Sequence, residues 1–208
     1  MISSLTWTTE TADLTTDIAG GVLTITVNRP GEMNRMTPDA LAKLEQVAAG
    51  LAHRPEVNAV VVTGAGPEHF STGLLNPKLR ASLSKADIIA LVRLANRAFT
   101  ALEIAPQIVI AAINGPMRAG GVELALACDI RIAADTVTMH LPEAAWGGFP
   151  GAGGPARLPA IVGRGKALQL IATGATIDAR EMHRLRLVEE VVPASGLRAA
   201  AADMARSI

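Results

Sequence analysis

The stretch that best indicates the fold of this chain is Ile108-Val-Ile-Ala-Ala-Ile-Asn-Gly-Pro-Met-Arg-Ala-Gly-Gly-Val-Glu-Leu-Ala-Leu-Ala127. Its first six residues are continuously apolar, which is typical of a strand covered on both faces. A glycine-containing turn follows, and the segment from Val122 to Ala127, apolar except for Glu123, predicts a helix. This order of strand, turn and helix predicts an α/β protein.

The same layout occurs earlier in the chain, where the apolar strand Val60–Thr63 leads to Phe70-Ser-Thr-Gly-Leu-Leu75. Each of the two turns is predicted to lead into a helix, and a length of 208 residues fits a single domain. Other predicted elements are a strand over 21–27, helices from Pro38, over 88–102, 156–162 and 166–172 and from Asp178, a strand over 188–192 and a terminal helix over 194–208.

The charge and aromatic content argue against a nucleic-acid partner. Lys plus Arg and Asp plus Glu number 19 each, so no net charge attracts a polyanion. Aromatic residues make up only 2%, and tyrosine does not occur, so stacking surfaces for single-stranded nucleic acid are not evident.

The sequence also indicates a protein that does not enter a membrane and resides in the cytoplasm. No apolar run reaches the roughly 18 residues that span a bilayer. Residues 1–10 show neither the basic nor the apolar region of a secretory signal. Cys128 is the only cysteine, and no Cys or His residues stand at metal-ligand spacing, so we expect neither a disulfide nor a bound metal.

Two acids stand beside glycine-rich turns. Glu123 follows Gly120-Gly121, and Glu143 precedes Gly147-Gly148. A pair of carboxyl groups can take and give a proton during addition of water or proton transfer beside a carbonyl. The alternative for Glu123 is a first-turn acid that the helix dipole stabilises, and the alternative for Glu143 is a helix-start or solvated loop acid.

The two turns suggest backbone donors for an oxyanion. Helix starts leave N–H groups free, and glycine lets those groups approach a ligand closely, so two adjacent turns can form an oxyanion hole. The alternative is a pair of ordinary tight turns. Neither glycine-rich run, 147–154 or 163–166, has the residues of a nucleotide phosphate loop.

The chain resembles the crotonase superfamily, the enoyl-CoA hydratase/isomerase family, from about Gly21 to Pro193. The order and spacing of several motifs carry the resemblance: Ile25-Thr-Val-Asn-Arg-Pro30, Phe70-Ser-Thr-Gly73, Ile110-Ala-Ala-Ile-Asn-Gly115, Gly120-Gly-Val-Glu-Leu-Ala-Leu-Ala-Cys-Asp-Ile-Arg-Ile-Ala133, Pro142-Glu143, Phe149-Pro-Gly-Ala-Gly-Gly154 and Arg157-Leu-Pro159.

The resemblance implies a crotonase-like spiral of ββα units over residues 1–193. Residues 194–208 would be a short helix, the remnant of a truncated C-terminal region through which relatives trimerise. A homotrimer or a hexamer is the implied assembly.

The resemblance also implies that the substrate is an acyl-CoA thioester, with no cofactor beyond the coenzyme A that it carries. The Leu74 and Gly120 N–H groups would hold the thioester oxygen, while Glu123 and Glu143 would activate a water. The implied substrate-binding residues are Arg35, Ser71, Gly73, Leu75 and Trp146.

Two substitutions depart from the family pattern, since Leu74-Leu75 stands where Ala-Asp is common and Ala119 replaces a glycine. Because both acids are retained, the expected activity is hydration of a 2-enoyl-CoA. The alternatives are an enoyl-CoA isomerase, an acyl-CoA hydrolase or decarboxylase, and a catalytically silent acyl-CoA-binding protein. The two leucines and the short terminus favour the silent binder.

Overall fold

The structure is a computed structural model that describes residues 11–208. Residues 1–10, which belong to the predicted spiral core and were predicted to lack a secretory signal, lie outside the described residues. The strands are β1 (Leu14–Ala19), β2 (Val22–Val27), β3 (Ala59–Gly64), β4 (Ile108–Ile113), β5 (Met117–Arg118), β6 (Ile130–Ala134), β7 (Thr138–His140), β8 (Ile177–Asp178) and β9 (Glu190–Val192).

The helices are α1 (Pro38–Gly50), α2 (Pro77–Ser82), α3 (Lys85–Glu103), α4 (Gly120–Leu126), α5 (Gly154–Val162), α6 (Arg164–Thr173), α7 (Ala179–Arg184) and α8 (Leu197–Arg206). Short 3-10 turns occur at Pro30–Glu32, Leu51–His53, Glu143–Trp146 and Ala194–Gly196.

A six-stranded sheet has the order β1-β2-β3-β4-β6-β9, and a three-stranded sheet has the order β5-β7-β8. In the large sheet only the β1–β2 pair is antiparallel. The other strands are parallel, so their carboxyl ends lie along one edge, where ligands bind in many parallel sheets. The predicted α/β class is therefore found.

The strand patterns have the burial that the sequence indicates. Leu23, Ile25 and Val27 of β2 are buried while the residues between them are partly exposed. β3 and β4 are buried along almost their whole length, because neighbours cover both faces.

The hairpin of β1 and β2 is absent from the sequence prediction. Gly20 and Gly21 form its turn with φ of 57° and 79°, a conformation that glycine adopts readily. Only Leu14 of β1 is buried, so this edge strand carries little apolar pattern that sequence reasoning could detect.

Helix α8 packs against strands β2, β3, β4 and β6 of the large sheet. Leu197, Ala201 and Ala205 are buried at this contact and belong to the hydrophobic core. The predicted helix over 194–208 is present, although its first residues form a 3-10 turn. Its interpretation as a remnant of a trimerisation region stays a prediction.

The helix start predicted at residues 70–75 is wrong. Ser71 instead forms a parallel bridge with Met117, and α2 begins only at Pro77. Asn76 caps that helix, since its side chain accepts a hydrogen bond from the Leu79 N–H at 2.8 Å. The last strand is also shorter than predicted, beginning at Glu190 rather than Val188.

Candidate active site

The site lies where the chain leaves the carboxyl ends of β3 and β4. Asn114, directly after β4, ties the two strand ends together. Its Oδ1 accepts a hydrogen bond from the Gly64 N–H at 3.0 Å, and its Nδ2 donates to the Gly66 carbonyl at 2.6 Å. The turns that follow these strands are thereby held side by side.

The first turn presents the Leu74 N–H. Gly73, the residue before it, has φ of 84°, a left-handed conformation that favours glycine. The Ser71 hydroxyl fixes this turn by donating to the Asn34 carbonyl at 2.8 Å and accepting from the Gly73 N–H at 3.1 Å. The Leu74 N–H donates no hydrogen bond within residues 11–208.

The second turn presents the Gly120 N–H, the first of α4. Helix-start amides have no partner inside their helix, so this N–H is available to a ligand. Ala119 before it has φ of 49° and ψ of −125°, which is unfavourable for a residue with a side chain.

The two turns touch through their glycines. A Cβ on Gly73 would lie 2.5 Å from the Gly120 nitrogen, and a Cβ on Gly121 would lie 2.1 Å from the Ser71 carbonyl oxygen. Because only hydrogen fits at these positions, the glycines allow the Leu74 and Gly120 amides to lie next to each other. This is the arrangement that an oxyanion hole requires.

Glu123 lies in α4 and is only 2% exposed. Its Oε1 accepts two backbone hydrogen bonds, from the Ala152 N–H at 2.7 Å and the Gly154 N–H at 2.8 Å. Burial raises the pKa of its carboxyl to about 7, with a further rise from nearby Glu143, against the lowering effect of the two N–H groups. Glu123 can therefore exchange a proton near neutral pH.

Glu143 begins the 3-10 turn that follows Pro142 and is half-buried. Burial raises the pKa of its carboxyl above the ordinary value. Its Oε2 is buried and has no hydrogen-bond partner among the described residues. An unpaired buried carboxylate oxygen is costly, so this atom is suited to accept a hydrogen bond from a ligand or a water.

One cavity of about 710 Å³ brings the four residues together, because Leu74, Gly120, Glu123 and Glu143 all line it. A second cavity of about 270 Å³ adjoins it. Leu75, Ala119 and Trp146 line both. A ligand can thus extend from one cavity into the other past the two backbone donors.

The remaining predicted substrate-binding residues divide into two groups. Arg35, Leu75 and Trp146 line the smaller cavity, where Arg35 is also paired with Glu32 at 2.6 Å. Ser71 and Gly73 are buried and line neither of these cavities. Their contacts hold the Leu74 turn in place.

Sequence reasoning missed the residues that hold Glu123 and the loop opposite it. Ala152 and Gly154 supply the two N–H groups, and Arg157 donates to the Ala152 carbonyl at 3.0 Å. Asn96 of α3 binds the Gly151 carbonyl. The glycine-rich run 147–154 was the only available signal, and it does not say which carboxylate its amides meet.

Residues 11–208 contain no group of three or more His, Cys, Asp or Glu side chains suited to hold a metal ion. No helix in the same range is long and apolar enough to cross a membrane.

The fold and the site define a crotonase-type α/β protein, and comparison with known proteins agrees. The sequence model of the enoyl-CoA hydratase/isomerase family matches residues 17–208. The chain is 38% identical over 189 residues to the short-chain-enoyl-CoA hydratase of Clostridium acetobutylicum, covering 91% of this chain and 72% of that protein.

Solved structures are equally similar. Pseudomonas aeruginosa DspI superposes with a TM-score of 0.92 at 40% identity, covering 100% of this chain and 77% of DspI. A putative enoyl-CoA hydratase from Thermobifida fusca in complex with acetoacetyl-CoA gives a TM-score of 0.83 at 33% identity, covering 94% of this chain and 80% of that one.

This chain belongs to the enoyl-CoA hydratase/isomerase family. The resemblance to the crotonase superfamily, the fold class and the prediction of an enzyme of this family are confirmed.

Proposed function

We propose that this protein is an enoyl-CoA hydratase that adds water to a 2-enoyl-CoA and forms a 3-hydroxyacyl-CoA. The observation that carries the proposal is the meeting of two carboxyl groups and two adjacent backbone donors in one cavity. Glu123 and Glu143 supply the proton-transfer groups, and Leu74 and Gly120 supply the donors. The relatives named as hydratases support this activity over the alternatives.

The thioester spans the two adjoining cavities. The coenzyme A portion occupies the smaller one, against Arg35 and Trp146, and the acyl chain occupies the larger one. Leu75, at the junction, narrows the passage between them. The complex of the Thermobifida fusca relative with acetoacetyl-CoA supports this class of ligand.

The reaction proceeds with the carbonyl oxygen accepting hydrogen bonds from the Leu74 and Gly120 N–H groups. One carboxylate takes a proton from water while the water oxygen bonds to the β-carbon of the thioester. The π electrons move toward the carbonyl, and the enolate charge develops against the two donors. The α-carbon then receives a proton from the other carboxyl group, which restores the thioester.

No chemistry in these steps calls for a cofactor beyond the coenzyme A of the substrate. The assembly, homotrimer or hexamer, and the cytoplasmic location stay predictions. Light scattering of the purified protein measures the mass of the assembly.

The test is incubation of the purified protein with 2-enoyl-CoAs of increasing chain length, with loss of the conjugated thioester followed by absorbance and products separated by chromatography. A hydratase yields 3-hydroxyacyl-CoA. A 3-enoyl-CoA product would instead indicate an isomerase, and free coenzyme A a hydrolase. Binding without any product across all chain lengths would contradict the proposal and favour a silent binder.

A further inference from the structure

The larger cavity carries three cations that have no part in the proposed reaction. Arg80 of α2 and Lys85 and Arg93 of α3 line it together with Glu123 and Glu143. Within residues 11–208, none of the three cations has a carboxylate within salt-bridge distance, although eight other arginines of the chain do. They therefore have no ion-pair partner among the described residues, although they line the same cavity as the two acids.

The surroundings of these cations are largely apolar. Ile88, Ile89 and Val92 of α3 line the same wall, and Phe149 lines the cavity from the glycine-rich loop. The apolar side chains alone would be enough to bind a hydrocarbon chain. Cations beside such a surface favour a ligand that combines an apolar chain with a negative charge.

Arg80 has the geometry of an anchoring residue. It is partly buried, and its Nη1 donates to the Trp146 carbonyl at 2.7 Å. That bond fixes the guanidinium against the turn that carries Glu143, and it uses one of about five N–H donors. The remaining donors are suited to a carboxylate, which arginine binds through two parallel hydrogen bonds.

Lys85 and Arg93 stand on the same face of α3 as Ile89, at i, i+4 and i+8. Both are exposed, so each contributes attraction at the rim more than a buried contact. A carboxylate bound to Arg80 would thus have two further cations nearby on this face of α3.

We infer that the acyl cavity binds a thioester whose acyl chain carries a second carboxylate, with Arg80 as its main partner and Lys85 and Arg93 as supporting charges. The substrate class is the monothioester of an unsaturated dicarboxylic acid. This inference rests on the proposed function, because it takes the larger cavity to hold the acyl chain of a CoA thioester.

Binding and turnover are measured separately so that the two proposals can fail separately. Calorimetry compares adipoyl-CoA, its methyl ester and hexanoyl-CoA, none of which can be hydrated. Steady-state assays compare 2-hexenedioyl-CoA, its methyl ester and 2-hexenoyl-CoA, with longer homologues of each. The free carboxylate should be preferred to the ester by about 10- to 100-fold in both measurements.

The variants are Arg80→Met and Arg93→Met, with Arg97→Met and Lys78→Met as controls. Arg97 lies one turn beyond Arg93 but pairs with Glu45, and neither control lines the cavity. The preference for carboxylate over ester should fall in the first two variants and persist in the controls. Arg93→Met disturbs no hydrogen bond to Trp146, so it remains informative if Arg80→Met fails to fold.

Equal affinity of the wild type for adipoyl-CoA and its ester, at every chain length, would overturn the inference. So would an equal loss for both ligands in the variants, which would show that the cations serve the phosphates of coenzyme A. A carboxylate preference in binding without hydration of any thioester would support the substrate class and contradict the hydratase proposal. Failure of every thioester to bind would contradict both.

Discussion

Glu123 and Glu143 line the same cavity, but the structure supports them in opposite ways. Glu123 sits in a helix, is almost fully buried and has two backbone N–H groups on one oxygen. Glu143 sits in a single 3-10 turn, is half-buried and has a buried oxygen without a partner among residues 11–208. The Glu123 carboxyl is therefore fixed by the protein itself, whereas Glu143 has an oxygen to which a ligand or a water can donate a hydrogen bond.

In the proposed reaction, this difference lets two glutamates serve two different proton transfers. The N–H groups hold the Glu123 carboxyl in place against the cost of its burial, which still raises its pKa to about 7. Burial also raises the pKa of the Glu143 carboxyl, which has no pair of N–H groups from the loop at 152–154 to hold it. Substitutions that remove either charge, disturb the N–H groups around Glu123 or replace the strained Ala119 should show how far this difference between the two acids affects activity and stability.

The largest effect is expected from removing either acid. In Glu123→Gln and in Glu143→Gln, kcat for 2-enoyl-CoA hydration should fall about 10²- to 10⁴-fold, because an amide cannot exchange the proton. KM should change little, since the backbone donors and the cavity remain. Stopped-flow and steady-state absorbance assays measure both constants.

The control for that pair is Glu190→Gln, an exposed acid of β9 that does not line the cavity. It should retain the wild-type rate. Wild-type kcat in either active-site variant would refute the two-carboxyl mechanism.

A smaller effect is expected in the pH dependence of stability. The pKa of Glu123 is about 7 in the fold and near 4.5 in the unfolded chain, so the folded state binds the proton more tightly. The stabilisation that protonated Glu123 contributes is fully present below about pH 4.5 and is lost as the pH rises through 7. The free energy of unfolding should fall by about 3 kcal/mol over this range. Urea denaturation across this range measures it.

In Glu123→Gln this pH-dependent loss should disappear, which leaves the variant more stable than the wild type above neutral pH. Glu143→Gln should remove a smaller part of the pH-dependent loss of stability, because Glu143 is less buried than Glu123. An unchanged pH profile in Glu123→Gln would show that the burial of its carboxyl does not control stability.

Substitution of one glycine beside each acid should have a smaller effect on activity than removal of the acid itself. A Cβ on Gly154 would lie 2.8 Å from the Pro150 Cβ and 3.1 Å from Glu123 Oε1, so Gly154→Ala should displace the carboxyl. We expect kcat to fall about 10- to 100-fold. A Cβ on Gly148 would lie 3.6 Å from the Glu143 carbonyl oxygen, an ordinary contact, and Gly148→Ala should lose much less.

Kinetics of both alanine variants on the same 2-enoyl-CoA provide the comparison, and thermal denaturation checks that both fold. If Gly148→Ala were as damaging as Gly154→Ala, the cradle around Glu123 would have no special part in activity.

The smallest effect is expected at Ala119, where glycine should relieve an unfavourable backbone conformation. The relief exceeds the entropy that glycine adds to the unfolded chain, so Ala119→Gly should stabilise the fold by about 1 kcal/mol. Ala42→Gly, at an exposed position of α1, should instead destabilise it by about 1 kcal/mol. Urea denaturation of both variants distinguishes the two outcomes, and an equal loss in both would show that Ala119 is not strained.

Local patterns were sufficient for most of the main sheet. The apolar runs of β3 and β4 and the alternation in β2 predict those strands, because burial on one or both faces leaves a direct pattern in the sequence. β1 was missed because it is an edge strand with one buried residue. The helix start at 70–75 was wrong because a strand bridge to Met117 and the capping residue Asn76 place the helix later.

The candidate site divides in the same way. Glu123 and Glu143 could be singled out beside their glycine-rich turns, and the family motifs named Leu74 and Gly120. Nothing local indicated that Arg80 would reach the Trp146 carbonyl, 66 residues away in the chain. Nothing local indicated either that the donors to Glu123 lie 29 and 31 residues further along.

The sequence by itself determined strands β2, β3 and β4, the glycine-containing turns that follow β3 and β4, and the two acids, because each depends on neighbouring residues and on backbone sterics. The tertiary structure decided that the turns meet and that two backbone N–H groups hold the buried Glu123 carboxyl but not that of Glu143. It also decided that Arg80, Lys85 and Arg93, which have no carboxylate partner among residues 11–208, line the larger cavity. Those properties arise from contacts between distant segments. Desolvation and hydrogen bonding at such contacts set the pKa values, which no local pattern specifies.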